Sequence, residues 1–252
     1  MKLIPWECCN EIEAYTTCAY DDDHKLYNMS YNGVDDQQVL KNRKELASLL
    51  HTDLEHMVAT HQCHTTHFLK VSLEDGGRGM YSKEDAFDQY DAMYTRDHGL
   101  WLYSFHADCC PVLLYCRDQK IVAEIHSGWK GTVTEIVGKV TKHLIENEHC
   151  NPHSIYAYIG PSINKENFEA RDDIIDQVKA MSFDTSSFYT RKDQDSYLLD
   201  SKGLIQQQLL LLNVPQNNIT MSPYCTIENE ELFFSYRRNK TPHRNITCIC
   251  LK

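Results

Sequence analysis

The hydrophobic pattern of the chain is sharpest between residues 106 and 144. Two apolar runs, Val112-Leu113-Leu114-Tyr115-Cys116 and Ile121-Val122-Ala123-Glu124-Ile125-His126, flank a polar break, Arg117-Asp118-Gln119-Lys120. Short β-type runs on either side of four polar residues predict a hairpin. Closing it about that break pairs position 116 with 121 and 111 with 126. Cys109 and His126 then meet at the same open end. Beyond them, Ser127-Gly128-Trp129-Lys130-Gly131 turns the chain into a helix. Thr132 and Glu135 have capping-box spacing, and Val133, Ile136, Val137, Val140 and Leu144 share one face.

The rest of the pattern is less regular. Asp35 to Leu50 reads as a helix capped by Asp35 or Asp36, with Val39, Leu46, Leu49 and Leu50 on its apolar side. Residues 57–73 favour a strand through Val58, Thr60, Thr65, Thr66, Phe68 and Val71. On a strand, His64 faces away from His61 and His67, so the three cannot share one metal. His61 and His67 read as ordinary polar surface. Residues 74–97 form a polar excursion of loop and short helix. Further strands are predicted at 100–105, 154–159, 218–222 and 245–251, and helices at 172–181 and from about Asp200. Residues 1–30 carry no clear element. Irregular alternation around a central hairpin predicts an α/β fold, with a mixed sheet and helices on both faces. No linker, like-charge block or repeat interrupts the 252 residues, so 1–252 reads as a single domain.

Charge and cysteine usage narrow the partners. A net charge of −11 argues against nucleic acid, which needs a basic face. It leaves room for a small anion in a locally basic pocket. No apolar run approaches transmembrane length, and Met1-Lys2-Leu3-Ile4-Pro5-Trp6-Glu7 leads into no signal-peptide core. The expectation is a cytoplasmic protein with no membrane partner, a monomer or weak homo-oligomer. Its 11 cysteines should stay reduced, most of them as small buried hydrophobes.

Chemistry gathers at the hairpin. A thiol and an imidazole meeting there make a metal site, a Cys/His nucleophile pair or a packing contact. The turn at Gly128, opening a helix, offers free backbone N–H groups to an anion, with Lys130 beside it. It is not a P-loop, because no Gly-Lys-Ser/Thr follows. The cluster Arg237, Arg238, Lys240 and Arg244 is a second anion candidate. Asp108 either orients a ligand, carries a proton or caps a turn. Trp129, Phe233 and Tyr236 either stack on a base or pack in the core.

Several blocks carry a resemblance to a known family. Ala107-Asp108-Cys109-x-Pro111-Val112-Leu113-Leu114 and His126-x-Gly128-Trp129-Lys130-Gly131 resemble the two signature blocks of the laccase-domain proteins. That family is also called the multicopper polyphenol oxidase or purine nucleoside phosphorylase family. The resemblance continues through Gly33-Val34-Asp35-Asp36, Asn42-Arg43, Gln62-Cys63-His64, Asp91-Ala92, Ile159-Gly160-Pro161, Cys225-Thr226 and Leu232-Phe233-Phe234-Ser235-Tyr236-Arg237-Arg238. It implies a three-layer α/β/α fold. It also implies a metal held by His64, Cys109 and His126, three N/S ligands with a position left open, which suit Zn2+ or Cu2+.

The implied activity is phosphorolysis of adenosine, inosine and methylthioadenosine, with adenosine deamination beside it. Purine nucleoside and phosphate are the implied partners. Cys109, His126, His64 and Asp108 would be catalytic, and Gly128, Lys130, Arg237 and Arg244 would face phosphate. Two alternatives follow from the same residues. One is a copper-dependent polyphenol oxidase, against which none of the 13 histidines forms a His-x-His pair. The other is a cysteine amidase with Cys109 as nucleophile and His126 as base, acting on peptidoglycan precursors. The chain departs from the family pattern in its opening segment, where Cys18 and Asp21-Asp22-Asp23 stand in place of an arginine and a Gly-Gly-Val-Ser turn. It also has Lys130 where relatives often carry Arg, and Ser162 where they often carry Cys.

Overall fold

The computed structural model describes residues 1–32 and 35–252; the Gly33-Val34 part of the family pattern lies outside the described residues. Strands and helices are numbered in chain order. One mixed sheet runs β1 (Leu3–Pro5), β2 (Ile12–Thr17), β15 (Asn245–Leu251), β7 (Trp101–His106), β3 (Met57–His61), β5 (Phe87–Asp88). A second runs β14 (Ile219–Met221), β10 (Ile155–Ile159), β8 (Cys110–Cys116), β9 (Ile121–Ser127), β6 (Ala92–Thr95), β4 (Phe68–Lys70). A small third sheet joins β11 (Glu169–Ala170), β13 (Tyr197–Leu199) and β12 (Tyr189–Arg191). The helices are α1 (Asp36–Leu49), α2 (Trp129–Val133), α3 (Ile136–Glu146), α4 (Asp172–Lys179), α5 (Ser201–Leu211) and α6 (Tyr236–Asn239).

The mixed α/β class and the outer helices are as expected. The central β layer is double, two sheets packed face to face, and the pleat sorts its residues. Val112, Leu114, Ile121, Ala123 and Ile125 point to one core, with Ile136, Val137, Val140 and Leu144 of α3 and Ile205 and Leu209 of α5. Leu113, Tyr115 and Val122 point the other way, onto Val58, Leu102, Ile249 and Leu251 of the first sheet. Beyond that sheet, Leu46 and Ala47 of α1 pack with Met57, Tyr103 and Cys248. A hairpin covered on both faces has no solvent side, which is why β8 and β9 read as continuous apolar runs instead of alternating ones. Every residue of both strands is buried.

The hairpin register is the one read from the sequence: Cys116 opposes Ile121 and Pro111 opposes His126. Asp35 caps α1, its carboxylate accepting from the Gln37 and Gln38 amides at 3.1 Å. Three readings are corrected. The helix expected from Thr132 begins at Trp129, after Gly128 in the cap position, and is broken at Glu135, whose backbone is left-handed (φ 61°). Thr132 bonds Ser127 Oγ and the Gly128 carbonyl instead of capping, and the Glu135 carboxylate accepts from the Ser182 amide and hydroxyl. The strand expected over 57–73 is two short strands, β3 and β4, with a loop at 62–67 between them. The excursion at 74–97 contains β6, fully buried and paired to β9. Its four residues are too short a run to show a period.

Among the described residues, no helix is long and apolar enough to cross a membrane. All eleven cysteines are free thiols.

Arg43 ties α1 to the loops around the site. It is buried without a carboxylate partner, and burial pushes its pKa down to about 10. Its guanidinium donates to the carbonyls of Met29 (2.7 and 2.9 Å), Gly79 (2.6 Å) and Met80 (2.9 Å). The Met80 carbonyl also accepts from the Tyr31 hydroxyl, but those of Met29 and Gly79 would lose these donors, and a buried carbonyl left without a donor costs roughly 1–3 kcal/mol. Arg43→Ala is expected to lower the unfolding free energy by about 3 kcal/mol or more, read as a shift in the urea midpoint. An unchanged midpoint would show that water replaces the guanidinium.

Candidate functional site

The site lies where the hairpin opens. The β8–β9 register puts His126 opposite Pro111 and Ser127 opposite Cys110, and Cys109 immediately precedes β8. His64 arrives from the 62–67 loop, which can reach the hairpin because His64 takes a left-handed backbone (φ 60°). Its Nε2 lies 3.7 Å from Cys109 Sγ. The His64 and His126 rings meet edge to face, with centroids 5.0 Å apart. One donor atom from each of His64, Cys109 and His126 lies within 4.8 Å of the others. The conclusion that His61 and His67 are separate from His64 holds, though through a loop and not through strand alternation.

Asp91 holds this arrangement in place. It is fully buried, and its Oδ1 lies 2.8 Å from His126 Nδ1. The same carboxylate accepts from the amides of Cys63 (3.2 Å), His64 (3.0 Å) and Thr65 (2.6 Å) and from the Thr65 hydroxyl (2.8 Å). Its own carbonyl accepts from the His126 amide at 2.7 Å. Burial works against its charge, but His126 and the Thr65 donors outweigh burial and hold its pKa down at about 2. Burial likewise opposes charge on Cys109 and His126. Their mutual attraction, with Asp91 behind the imidazole, pulls the thiol below its usual range and lifts the imidazole above its own. Asp91 was visible in the sequence only as part of a family block; nothing in its spacing marked a role.

Gly128 has a precise reason to be glycine. A Cβ there would collide with His64 Cδ2 and sit 3.0 Å from His64 Nε2 and 3.1 Å from Cys109 Sγ. The close approach of backbone to the donor cluster leaves room for an ion and none for a side chain. The donor set fits a thiophilic divalent ion: one thiolate and two imidazoles, with His126 Nδ1 engaged by a carboxylate so that Nε2 is free.

The cluster opens into a cavity of about 660 Å3. Asp108, Arg237, Lys240 and Arg244 line it, with Arg43, Lys83 and the aromatic rings of Tyr31, Phe105, Trp129, Phe168 and Tyr236. Asp108, in a left-handed backbone (φ 96°), has both oxygens engaged, by the Thr226 hydroxyl (2.7 Å) and the Arg237 amide (2.6 Å). It ties the start of α6 to the hairpin end. Arg237 donates to the Glu169 carbonyl at 3.1 Å, and Arg244 to the carbonyls of Thr241 and His243. Arg238 turns away to bond the carbonyls of Thr226, Ile227 and Phe233. Lys130 is exposed, sits over the Trp129 ring, and is not among the residues lining the cavity. The α2 helix behind Gly128 is only five residues long. The cationic wall is therefore the C-terminal cluster. Phe233 is core, whereas Trp129 and Tyr236 reach the cavity.

Fold and site together define a mixed α/β protein with a His/Cys/His donor cluster at the floor of a cation-rimmed cavity. The chain belongs to the multi-copper polyphenol oxidoreductase laccase family, whose model matches residues 16–252. It is 35% identical over 207 residues to the purine nucleoside phosphorylase YlmD of Bacillus subtilis (strain 168), covering 81% of this chain and 74% of that one. A purine nucleoside phosphorylase of Staphylococcus aureus (strain COL) is 32% identical over 209 residues, covering 82% and 78%. Among solved structures, the YfiH hypothetical protein of Bacillus licheniformis superposes with a TM-score of 0.94 at 29% identity, covering 99% of this chain and 96% of that one. YlmD of Geobacillus stearothermophilus gives 0.93 at 29%, covering 98% and 94%.

Outer carboxylates that orient a histidine ligand are typically worth about 10–100-fold in metal affinity. Asp91→Asn is expected to weaken Zn2+ binding by about that factor, measured by competition with a chromophoric chelator. Undiminished affinity would mean that the ring is held by packing alone. Gly128→Ala should lose Zn2+ while keeping the native circular dichroism spectrum.

Proposed function

We propose that the chain is a metal-dependent purine nucleoside enzyme, cleaving adenosine, inosine and methylthioadenosine with phosphate and deaminating adenosine. The observation that carries the reading is the pairing of the His64/Cys109/His126 cluster with the Arg237, Lys240 and Arg244 wall across one cavity. The names of the Bacillus and Staphylococcus relatives support it. Its eleven free thiols suit the reducing cytoplasm.

His64, Cys109 and His126 would hold the ion, Zn2+ in preference to Cu2+. A zinc ion so bound supplies Lewis acidity at the position the protein donors leave open. The chain's own residues do the rest. Arg237, Lys240 and Arg244 gather phosphate; guanidinium groups pair with it through two parallel N–H donors. Tyr236, Trp129 and Phe105 give the purine apolar faces. An oxygen of hydrogen phosphate attacks the anomeric carbon, the bond to the purine nitrogen breaks, and the base leaves with the proton that the phosphate gives up, giving free base and a pentose 1-phosphate. Asp91 keeps the His126 ring fixed throughout.

A second reading has an observation of its own. Cys109, His126 and Asp91 also form the sequence of nucleophile, base and orienting carboxylate that a cysteine amidase needs, with a peptidoglycan precursor as substrate. The polyphenol oxidase reading draws less support, since the donor clusters among the described residues hold two histidines at most.

Zinc-replete protein incubated with adenosine should yield adenine and ribose 1-phosphate only with phosphate present, and inosine with or without it. Cys109→Ala should reduce both to background. Full turnover by Cys109→Ala would sink the assignment; chelator-resistant activity lost to iodoacetamide would favour the amidase. Arg244→Ala is expected to raise the KM for phosphate about 10–100-fold, the worth of one charge-assisted hydrogen bond, and to change the nucleoside KM far less. Equal effects on both would place Arg244 outside the anion site.

A further inference from the structure

The loop that delivers His64 carries a second donor set on its outer side. His61, at the end of β3, has its Nδ1 2.7 Å from Asp88 Oδ1 in the neighbouring strand β5. Its Nε2 lies 3.9 Å from Cys63 Sγ. One donor atom of each of His61, Cys63 and Asp88 lies within 4.8 Å of the others. This group shares no residue with the His64/Cys109/His126 cluster. The left-handed turn at His64 sends that side chain inward, to Cys109, while Cys63 stays exposed.

We propose that His61, Cys63 and Asp88 form a second, solvent-facing site for a thiophilic divalent cation such as Zn2+. The chemistry of the set is mixed N, S and O, the combination that selects zinc-like ions over Mg2+ or Ca2+. Both sets pair a carboxylate with a histidine Nδ1, Asp88 with His61 and Asp91 with His126, but here the carboxylate is itself one of the three donors, so on binding Asp88 exchanges its contact with His61 Nδ1 for the ion. Zinc–donor bonds of about 2.0–2.3 Å need the three donors slightly closer than 4.8 Å. Cys63 and Asp88 are exposed and can close that gap by rotation about their side-chain bonds. Three protein donors leave the fourth position to solvent. The ion is bound at the rim of the cavity, which His61 lines. The inference is independent of the nucleoside reading, because it concerns stoichiometry and not turnover.

The test is metal content of the metal-stripped full-length chain after equilibrium dialysis against buffered Zn2+. The wild type should take two equivalents and Cys63→Ser one. Co2+ provides a second readout through its thiolate charge-transfer absorption. That band should persist in Cys109→Ala, where only the outer thiol is left at a donor cluster, and disappear when Cys63→Ser is added. Circular dichroism checks that Cys109→Ala folds; Cys63 is exposed, so Cys63→Ser carries the test on its own if it does not. A zinc stoichiometry that Cys63→Ser leaves unchanged overturns the proposal, as does complete loss of the cobalt band in folded Cys109→Ala.

Discussion

One buried carboxylate governs the geometry of this protein's site. Asp91 accepts from the His126 ring and from three consecutive amides of the loop that carries His64. Two of the three cluster residues therefore hang from a single side chain. A buried anion without partners would be expelled or protonated, so the donors and the charge require one another. The loop is held in place by the bonds from its amides to that carboxylate. The ring is fixed because its second nitrogen is occupied. The third member, Cys109, comes from the hairpin and needs no such device, since register places it.

That register rests on the double β layer. A one-residue slip of β8 against β9 would turn Val112 and Leu114 from the helical core into the space between the sheets, with Leu113 and Tyr115 going the other way. Burial on both faces makes every such slip costly. The same pleat that sends Ile121, Ala123 and Ile125 to the helices sends Val122 to the opposite face, the side shared by Glu124 and His126. The His64/Cys109/His126 cluster sits where the apolar lining of that second face gives way, at the open end of the hairpin.

The departures from the family pattern fall unevenly around the site. Ser162 is buried beside Cys110, not Cys109, and meets its thiol at 3.1 Å. It therefore belongs to the packing behind the cluster. The opening segment is tied down by Arg43 and by the Arg244 amide, which donates to Asn28 at 3.0 Å. Ser30 and Tyr31 from that segment reach the cavity wall, while Cys18 is buried elsewhere. Neither Cys18 nor Asp21, Asp22 and Asp23 is among the residues lining the cavity.

Much of this could be read from residues alone. The hairpin, its pairing at 116–121 and 111–126, a cap at Asp35 or Asp36 and the closing strand 245–251 came from apolar runs and turn chemistry, which are local. Cys109 and His126 were brought together by the same local geometry. His64 was selected by family resemblance, because no local rule links it to residues 45 and 62 positions away. The double sheet, the break at Glu135, the buried strand β6 and the roles of Asp91 and Gly128 were decided only by tertiary structure. Each depends on a group far along the chain: Ser182 for Glu135, β9 for β6, the loop amides for Asp91, and the His64 ring for Gly128. Local pattern reports which face of an element is apolar. It does not report what that face meets, and a metal-ligating or orienting residue is defined by what it meets.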